Sequence, residues 1–176
     1  MWNKICATHA TIAICLISIS IAFCACAISY KFNGAAIDYQ TTKTISIANF
    51  PNQAPLVYPL LSNNLSEAIR DQFDRQTRLQ ILPRDGQLQL EGEIIGYEVT
   101  GMSIGSDNYA QETKLTITVR VRYTNTINPE DSFEKTYSVY QTFDASRTLN
   151  DVQDELCELM VKEIAESIFN DTVAKW

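Results

Sequence analysis

Apolar residues recur in this chain with two rhythms, a period of two and a period near three and a half, and the switches between them outline a fold. Residues 43–50, Lys-Thr-Ile-Ser-Ile-Ala-Asn-Phe, alternate and are rich in β-branched side chains, which predicts a strand stopped by Pro51 and Pro55. Pro59 suits a helix start. From there Leu61, Leu65, Ala68, Ile69, Gln72 and Phe73 fall on one face, with Ser62, Asn63, Ser66, Glu67, Arg70 and Asp71 opposite. This predicts an amphipathic helix over 59–76. Residues 77–82 read as a short strand or extended connection, ended by Pro83 and the Asp85-Gly86 turn. Leu88, Leu90, Gly92 and Ile94 then alternate with polar residues, after which Ile95, Tyr97 and Val99 take over as the apolar set. A parity switch near Gly92 and Gly96 predicts a bulge or strong twist in a long strand. Residues 100–113 read as a hairpin loop. Residues 114–124 form the cleanest strand, with Leu115, Ile117, Val119, Val121 and Tyr123 on one face and Lys114, Thr116, Thr118, Arg120 and Arg122 on the other. Residues 128–131 turn the chain into a last strand over 132–143. Asn150 is placed to cap a final helix, with Asp151, Asp154 and Glu155 favouring its dipole. Val152, Leu156, Met160, Ile164 and Ile168 form its stripe, widened by Cys157, Val161 and Phe169. Cys157 therefore reads as a small core residue and not a reactive thiol.

Each helix has one greasy face, and the sheet has a face to meet them. The order β-α-β-β-β-α predicts an α+β fold, a two-layer sandwich with both helices on one face of a mixed, mainly antiparallel sheet, spanning 43–176 as a single domain.

The N-terminal 25 residues follow neither rhythm. A positive start at the Met1 amine and Lys4 precedes the apolar run 11–23, then Ala25 and Cys26. The run is too short, and too soon followed by polar sequence, for a comfortable spanning helix, which needs about 20 apolar residues. It resembles a lipoprotein signal peptide (1–25), whose small residue before the cysteine permits cleavage and whose cysteine, Cys26, is then acylated. Phe23 departs from the usual Leu or Val of such lipoboxes. Cys24 suits the role less, because bulky Phe23 would stand at the cleavage position. The alternatives are an ordinary secretory signal with an incidental cysteine, or an uncleaved anchor. Residues 26–42 would form a lipidated lead-in.

Removing that leader changes the chemistry open to the chain. The remaining 151 residues keep 13 of the 14 basic side chains against 21 acidic ones, a net charge of −8. A chain this acidic is a poor partner for nucleic acid. The lone histidine, His9, goes with the leader, as do Cys6, Cys15 and Cys24. With Cys26 blocked by lipid, Cys157 has no disulfide partner. No Ser-His-Asp or Cys-His system and no His-based zinc site can be assembled, and the six glycines never approach a phosphate-loop spacing. The residues call for no cofactor and no metal, and argue against an enzyme.

The mature chain resembles the lipopolysaccharide-assembly lipoproteins, the LptE-like family in its Bacteroides-type form. The carrying features are Cys26-Ala-Ile-Ser-Tyr-Lys-Phe-Asn-Gly34, Ile45-x-Ile-x-Asn-Phe-Pro51, the helix over 60–73, and Leu88-x-Leu-x-Gly-x-Ile-x-x-Tyr97. The resemblance implies an outer-membrane lipoprotein, anchored in the inner leaflet through Cys26. It would plug an LptD-type β-barrel, support its assembly and contact lipopolysaccharide. Thr-, Ser-, Gln- and Asn-rich outward faces suit a polar barrel lumen. Lys114, Arg120 and Arg122 share a strand face, joined by Lys135 on the next strand, and such a row can pair with lipid A phosphates. An ordinary strand face with cross-strand ion pairs to Glu93 or Glu134 is the stronger reading of those cations. Tyr30, Phe32 and Tyr39 read as the edge of the core, with a membrane interface or barrel contact as the alternative. A rival reading is a lipoprotein that activates a cell-wall synthase. Only 16 residues separate Cys26 from the first strand, roughly 55 Å fully extended, which favours a partner at the membrane.

Overall fold

Alternation in three long strands builds the sheet and decides which of its faces meets the helices. The structure, a computed structural model, describes residues 37–103 and 111–173. The leader, Cys26, Tyr30 and Phe32 lie outside the described residues. Five strands, β1 (Thr44–Ile47), β2 (Gln80–Leu82), β3 (Leu88–Ser103), β4 (Gln111–Asn125) and β5 (Phe133–Asp144), form one sheet in the order β2-β1-β3-β4-β5. β1 runs parallel to both β2 and β3, while β3, β4 and β5 are antiparallel. Two helices, α1 (Leu61–Gln76) and α2 (Leu149–Thr172), complete the order β-α-β-β-β-α. This is the expected α+β sandwich with its mixed sheet.

The apolar parity of each strand lands on one side. Ile45 and Ile47 pair with Leu88 and Leu90, which carry the row onward to Tyr123, Val121, Val119 and Ile117 of β4, then Tyr137 and Val139 of β5. These side chains form a single core with Leu61, Leu65, Ile69 and Phe73 of α1 and Met160, Ile164 and Ile168 of α2. Phe73 meets Phe169 edge-on, with ring centroids 5.3 Å apart, and so joins the two helices. The predicted bulge is present as a register shift between Ile94 and Gly96. Ile95 is the extra residue, so the apolar set changes parity while staying on the helix side. Phe50 leaves the end of β1 and fills the space that Gly92 lacks a side chain to occupy; a Cβ there would lie 2.4 Å from the Phe50 ring.

Four expectations needed correction. Residues 100–103 and 111–113, read as loop, are paired strand, from Thr100 opposite Lys114 to Ser103 opposite Gln111, because β-branched Thr100 and Thr113 suit the pleat. Ser66, assigned to the polar face of α1, is buried; its hydroxyl accepts from the Phe50 N–H (3.0 Å) and donates to the Ser62 carbonyl (2.7 Å). It thus satisfies a main-chain donor that Phe50 carries into the core. Thr148, not Asn150, starts α2: its N–H and hydroxyl both donate to the Asp151 carboxylate, at 3.1 and 2.7 Å. Tyr39 is exposed, not part of the core edge.

Buried phenols tie the two layers. Tyr58 donates to Asp154 at 2.6 Å, which together with burial pushes its pKa up from 10.0 to about 12. Burial raises Tyr123 to about 12, with Asp131 adding to it. Tyr97 and Tyr137 are likewise pushed up, first by burial, then by Cys157 and Asp171 respectively. Burial also lifts the Cys157 thiol to about 11, in keeping with a core role. A phenol whose folded pKa exceeds its unfolded value supports the fold fully below that unfolded value, and the support fades as pH climbs past it. Stability is therefore expected to fall between about pH 10 and 12, with ionisation of the buried Tyr58 and Tyr123 coinciding with loss of circular dichroism. Those two phenols ionising while the spectrum stays native would break that link.

Candidate functional site

With both helices on one face, no described element covers the other face of β3, β4 and β5. Its composition follows from the even positions of β4 and β5 and their partners on β3. Cross-strand rows run Glu91–Arg122–Glu134, Glu93–Arg120–Thr136, Gly96–Thr118–Ser138, Glu98–Thr116–Tyr140 and Thr100–Lys114–Thr142. One end is thus a lattice of alternating charge, and the middle is small and hydroxyl-bearing. Thr118 and Ser138 exchange a hydrogen bond at 3.3 Å.

Three of the four cations singled out in the sequence share this face, and each already has a partner. Arg120 reaches Glu93 at 3.0 Å, and Arg122 donates through Nε and Nη2 to Glu134 at 3.3 and 3.2 Å. The Lys114 ammonium lies 5.6 Å from the centroid of the Tyr140 ring. Lys135 does not join them. It stands at an odd position of β5, on the helix side, where its ammonium contacts Asp171 of α2 at 2.5 Å. The shallow groove of about 260 Å³ between the arginines is lined by Glu91, Glu93, Arg120, Arg122 and Glu134, three carboxylates to two guanidiniums. An incoming phosphate would meet net negative charge there. The geometry is that of cross-strand ion pairing, not of an anion cradle.

A larger notch, about 650 Å³, opens where β1 and β2 end. Arg70 and Arg84 line it together with Asp85 and Glu91, so its charge is balanced too. Arg70 is held by the Asn49 side chain and, at 3.5 Å, by the Ile47 carbonyl. One further surface was not singled out in the sequence. Leu56, Val57 and Leu60, between β1 and α1, stand 48, 57 and 55% exposed. The signal that could have found it is charge: residues 44–66 contain no Asp, Glu, Lys, Arg or His. Among the described residues, no three His, Cys, Asp or Glu side chains come together as a metal site.

The described residues thus combine a two-layer α+β fold with a polar, ion-paired sheet face. A profile of the lipopolysaccharide-assembly family, LptE, matches residues 42–172, and the chain belongs to that family. Membership gives it a part in the lipopolysaccharide-transport machinery, in a family whose work is not catalytic. No characterised protein matches the sequence. Among solved structures, a protein from Xanthomonas campestris shares 12% identity, with 76% of this chain and 85% of that chain covered and a TM-score of 0.51. A hypothetical protein from Chlamydia trachomatis shares 11% identity over 75% of this chain and 99% of its own, with a TM-score of 0.50. A minor lipoprotein from Acinetobacter baumannii shows 14% identity, coverage of 76% and 94%, and a TM-score of 0.47. At such identities the first two likenesses are of fold.

Because exposed ion pairs typically contribute less than about 1 kcal/mol, Arg120→Ala combined with Arg122→Ala is expected to leave the thermal midpoint nearly unchanged. Any lipopolysaccharide that the wild type retains is expected to be retained equally by the variant. A clear drop in retention by the folded variant would return these two cations to the phosphate-binding role.

Proposed function

We propose that this chain is a lipid-anchored outer-membrane protein that sits in the lumen of an LptD-type β-barrel, plugs it and supports its assembly, so that lipopolysaccharide can be delivered to the outer leaflet. The family match over 42–172 carries the reading. Two physical features support it. The lumen of a large outer-membrane barrel is polar, and the sheet face away from the helices offers hydroxyls and the ion pairs Arg120–Glu93 and Arg122–Glu134. Such groups can hydrogen-bond to a wall while the paired charges keep their partners. The tether is also short: with acylation at Cys26, no more than 18 residues lead to the start of β1 at Thr44, roughly 60 Å at full extension. A partner lying in the same membrane is within reach.

Extraction of the native protein in mild detergent tests this. A large outer-membrane β-barrel is expected to co-purify in near-equal amount, and depletion of the lipoprotein is expected to lower the level of assembled barrel. Recovery of a cell-wall synthase in place of the barrel would overturn the proposal.

A further inference from the structure

We infer that the notch at the end of β2 is a binding site for an extended peptide strand that brings a carboxylate to Arg70. The site is separate from the polar sheet face, and the inference does not depend on the barrel reading proposed above.

Main-chain hydrogen bonds expose the site. On its β3 side the β1 segment stays paired well past the end of the strand. Ala48 N–H donates to the Leu90 carbonyl at 2.9 Å, Ile94 N–H to the Pro51 carbonyl at 2.9 Å, and Gln53 N–H to the Ile94 carbonyl at 2.8 Å. On the opposite side pairing stops where Ser46 faces Leu82, the last residue of β2. In a parallel pair the next link would run from the N–H of residue 84 to the Ile47 carbonyl. β2 does not supply it: Pro83 restricts the backbone, Asp85 takes a φ of 56°, and Gly86 passes over β1 against Ile45 and Ser46. Odd residues of the segment face β2, as the bond from Gln80 N–H to the Lys43 carbonyl at 2.8 Å shows. Two main-chain groups are therefore left toward the gap. The Ile47 carbonyl meets only the Arg70 guanidinium, at 3.5 Å, and the Asn49 N–H meets no acceptor among the described residues.

The notch that β2 leaves open is about 650 Å³, a volume within the range of ligand sites. Its polar groups are those of a strand edge. An acceptor and a donor two residues apart are the pair that one residue of a guest strand answers with its own N–H and C=O. A compact anion has no use for that spacing, and it would meet Asp85 and Glu91 in the same notch.

Side-chain chemistry narrows the guest. Opposed residues of a sheet share a face, so a guest side chain opposite Asn49 emerges where the Asn49 amide holds Arg70. Arg70 is bonded there to neutral oxygens and forms no ion pair among the described residues. A guest carboxylate gives it a charge-assisted bond that an amide cannot. Ile81 and Leu82, half-buried in the same wall, suit apolar guest side chains on either side of the acid.

Nuclear magnetic resonance of the full-length, detergent-extracted protein tests this with a synthetic probe, the end-blocked heptapeptide Thr-Val-Thr-Glu-Thr-Val-Thr. Saturable shifts are expected at the amide signals of Ile47, Asn49 and Arg70. Two changes to the peptide should each weaken binding about tenfold, the scale of one such bond. One replaces its glutamate by glutamine, and the other methylates alternate main-chain nitrogens on the bonding edge. Neither touches the protein, so neither can act through its folding. Arg70→Gln should erase the preference for glutamate over glutamine while the effect of methylation persists. Absence of shifts up to millimolar peptide overturns the inference. So do shifts along β5, the opposite edge of the sheet, and binding indifferent to either peptide change.

Discussion

Gly86→Ala is expected to destabilise the fold severely, although it adds one methyl group to an exposed-looking turn. β2 and β3 lie on opposite sides of β1, so the chain between Leu82 and Leu88 must cross over the β1 backbone. Gly86 is the crossing point. Its N–H donates to the Ser46 hydroxyl at 3.2 Å, and a Cβ there would lie 2.4 Å from Ser46 N, 2.6 Å from Ile45 C and 2.8 Å from Leu88 O. All three are main-chain atoms, which cannot rotate aside as a side-chain tip can. The turn is also committed by Asp85, whose φ of 56° puts it in the left-handed region. On the other side, Gln87 accepts from Lys43 N–H at 2.7 Å and donates to the Thr41 carbonyl at 3.1 Å. Relief of the clash must therefore separate β1 from its neighbours. Overpacking of a well-filled site costs about 1–3 kcal/mol, and a main-chain clash belongs at or above the top of that range. Against a total stability of about 5–15 kcal/mol, a fall in the thermal midpoint of roughly 10 °C follows. Gly101→Ala is the control, because no described residue lies within 4 Å of the Cβ it would gain. Its midpoint should move little. Equal melting of the two variants would show that the crossing yields more readily than its geometry allows.

The sequence displayed the parts of this fold that repeat. Both helices, the alternation of β4 and the bulge in β3 were legible because each is written over many residues, and the parity switch around Ile95 could be seen without knowing what it packed against. The ion-pair reading of Arg120 and Arg122 was legible for the same reason, since adjacent antiparallel strands bring even positions together, and Glu93 and Glu134 are the acids so placed. Single-residue decisions were less visible. Ser66 looks polar in any pattern, and only the Phe50 N–H that it meets explains its burial. Thr148 lies two residues before the expected cap, and its pairing with Asp151 depends on a three-residue spacing that Asn150 obscured. The misplacement of Lys135 was avoidable: it has the parity of Tyr137, Val139 and Phe143, all buried, and so belongs to the helix side. Leu56, Val57 and Leu60 were not read from the sequence at all: they fall between the two periodic segments, and of residues 55–60 only Tyr58 is buried.

Cys26→Ala is expected to remove the protein from the membrane, leaving a soluble or unprocessed form. The reasoning begins with what else could hold it there. Among the described residues no helix is long and apolar enough to cross a membrane. The −8 charge of residues 26–176 opposes adsorption to anionic lipid, and the three exposed aliphatic side chains Leu56, Val57 and Leu60 are too few to act as an anchor. Acyl chains differ in scale. Each buried methylene contributes about 0.8 kcal/mol, and one chain gives marginal, reversible binding while two hold stably. Attachment is thus expected to be nearly all-or-none with respect to acylation of Cys26. Cys24→Ala, two residues away, should leave the protein anchored, which separates the effect of the acyl site from that of altering the apolar run. Membrane fractionation, with mass spectrometry of the mature N-terminus, reads both variants. An unmodified Cys26 in the native protein, or a Cys26→Ala variant that remains in the membrane, would end the lipoprotein reading. Under the proposed function the consequence is one of concentration: a tethered domain would meet a barrel in its own membrane at a high effective concentration, and release would forfeit that advantage without altering any contact in the folded domain. Barrel assembly should then fall in the Cys26→Ala strain even though the domain folds as before, and overproduction of the untethered form should restore part of it.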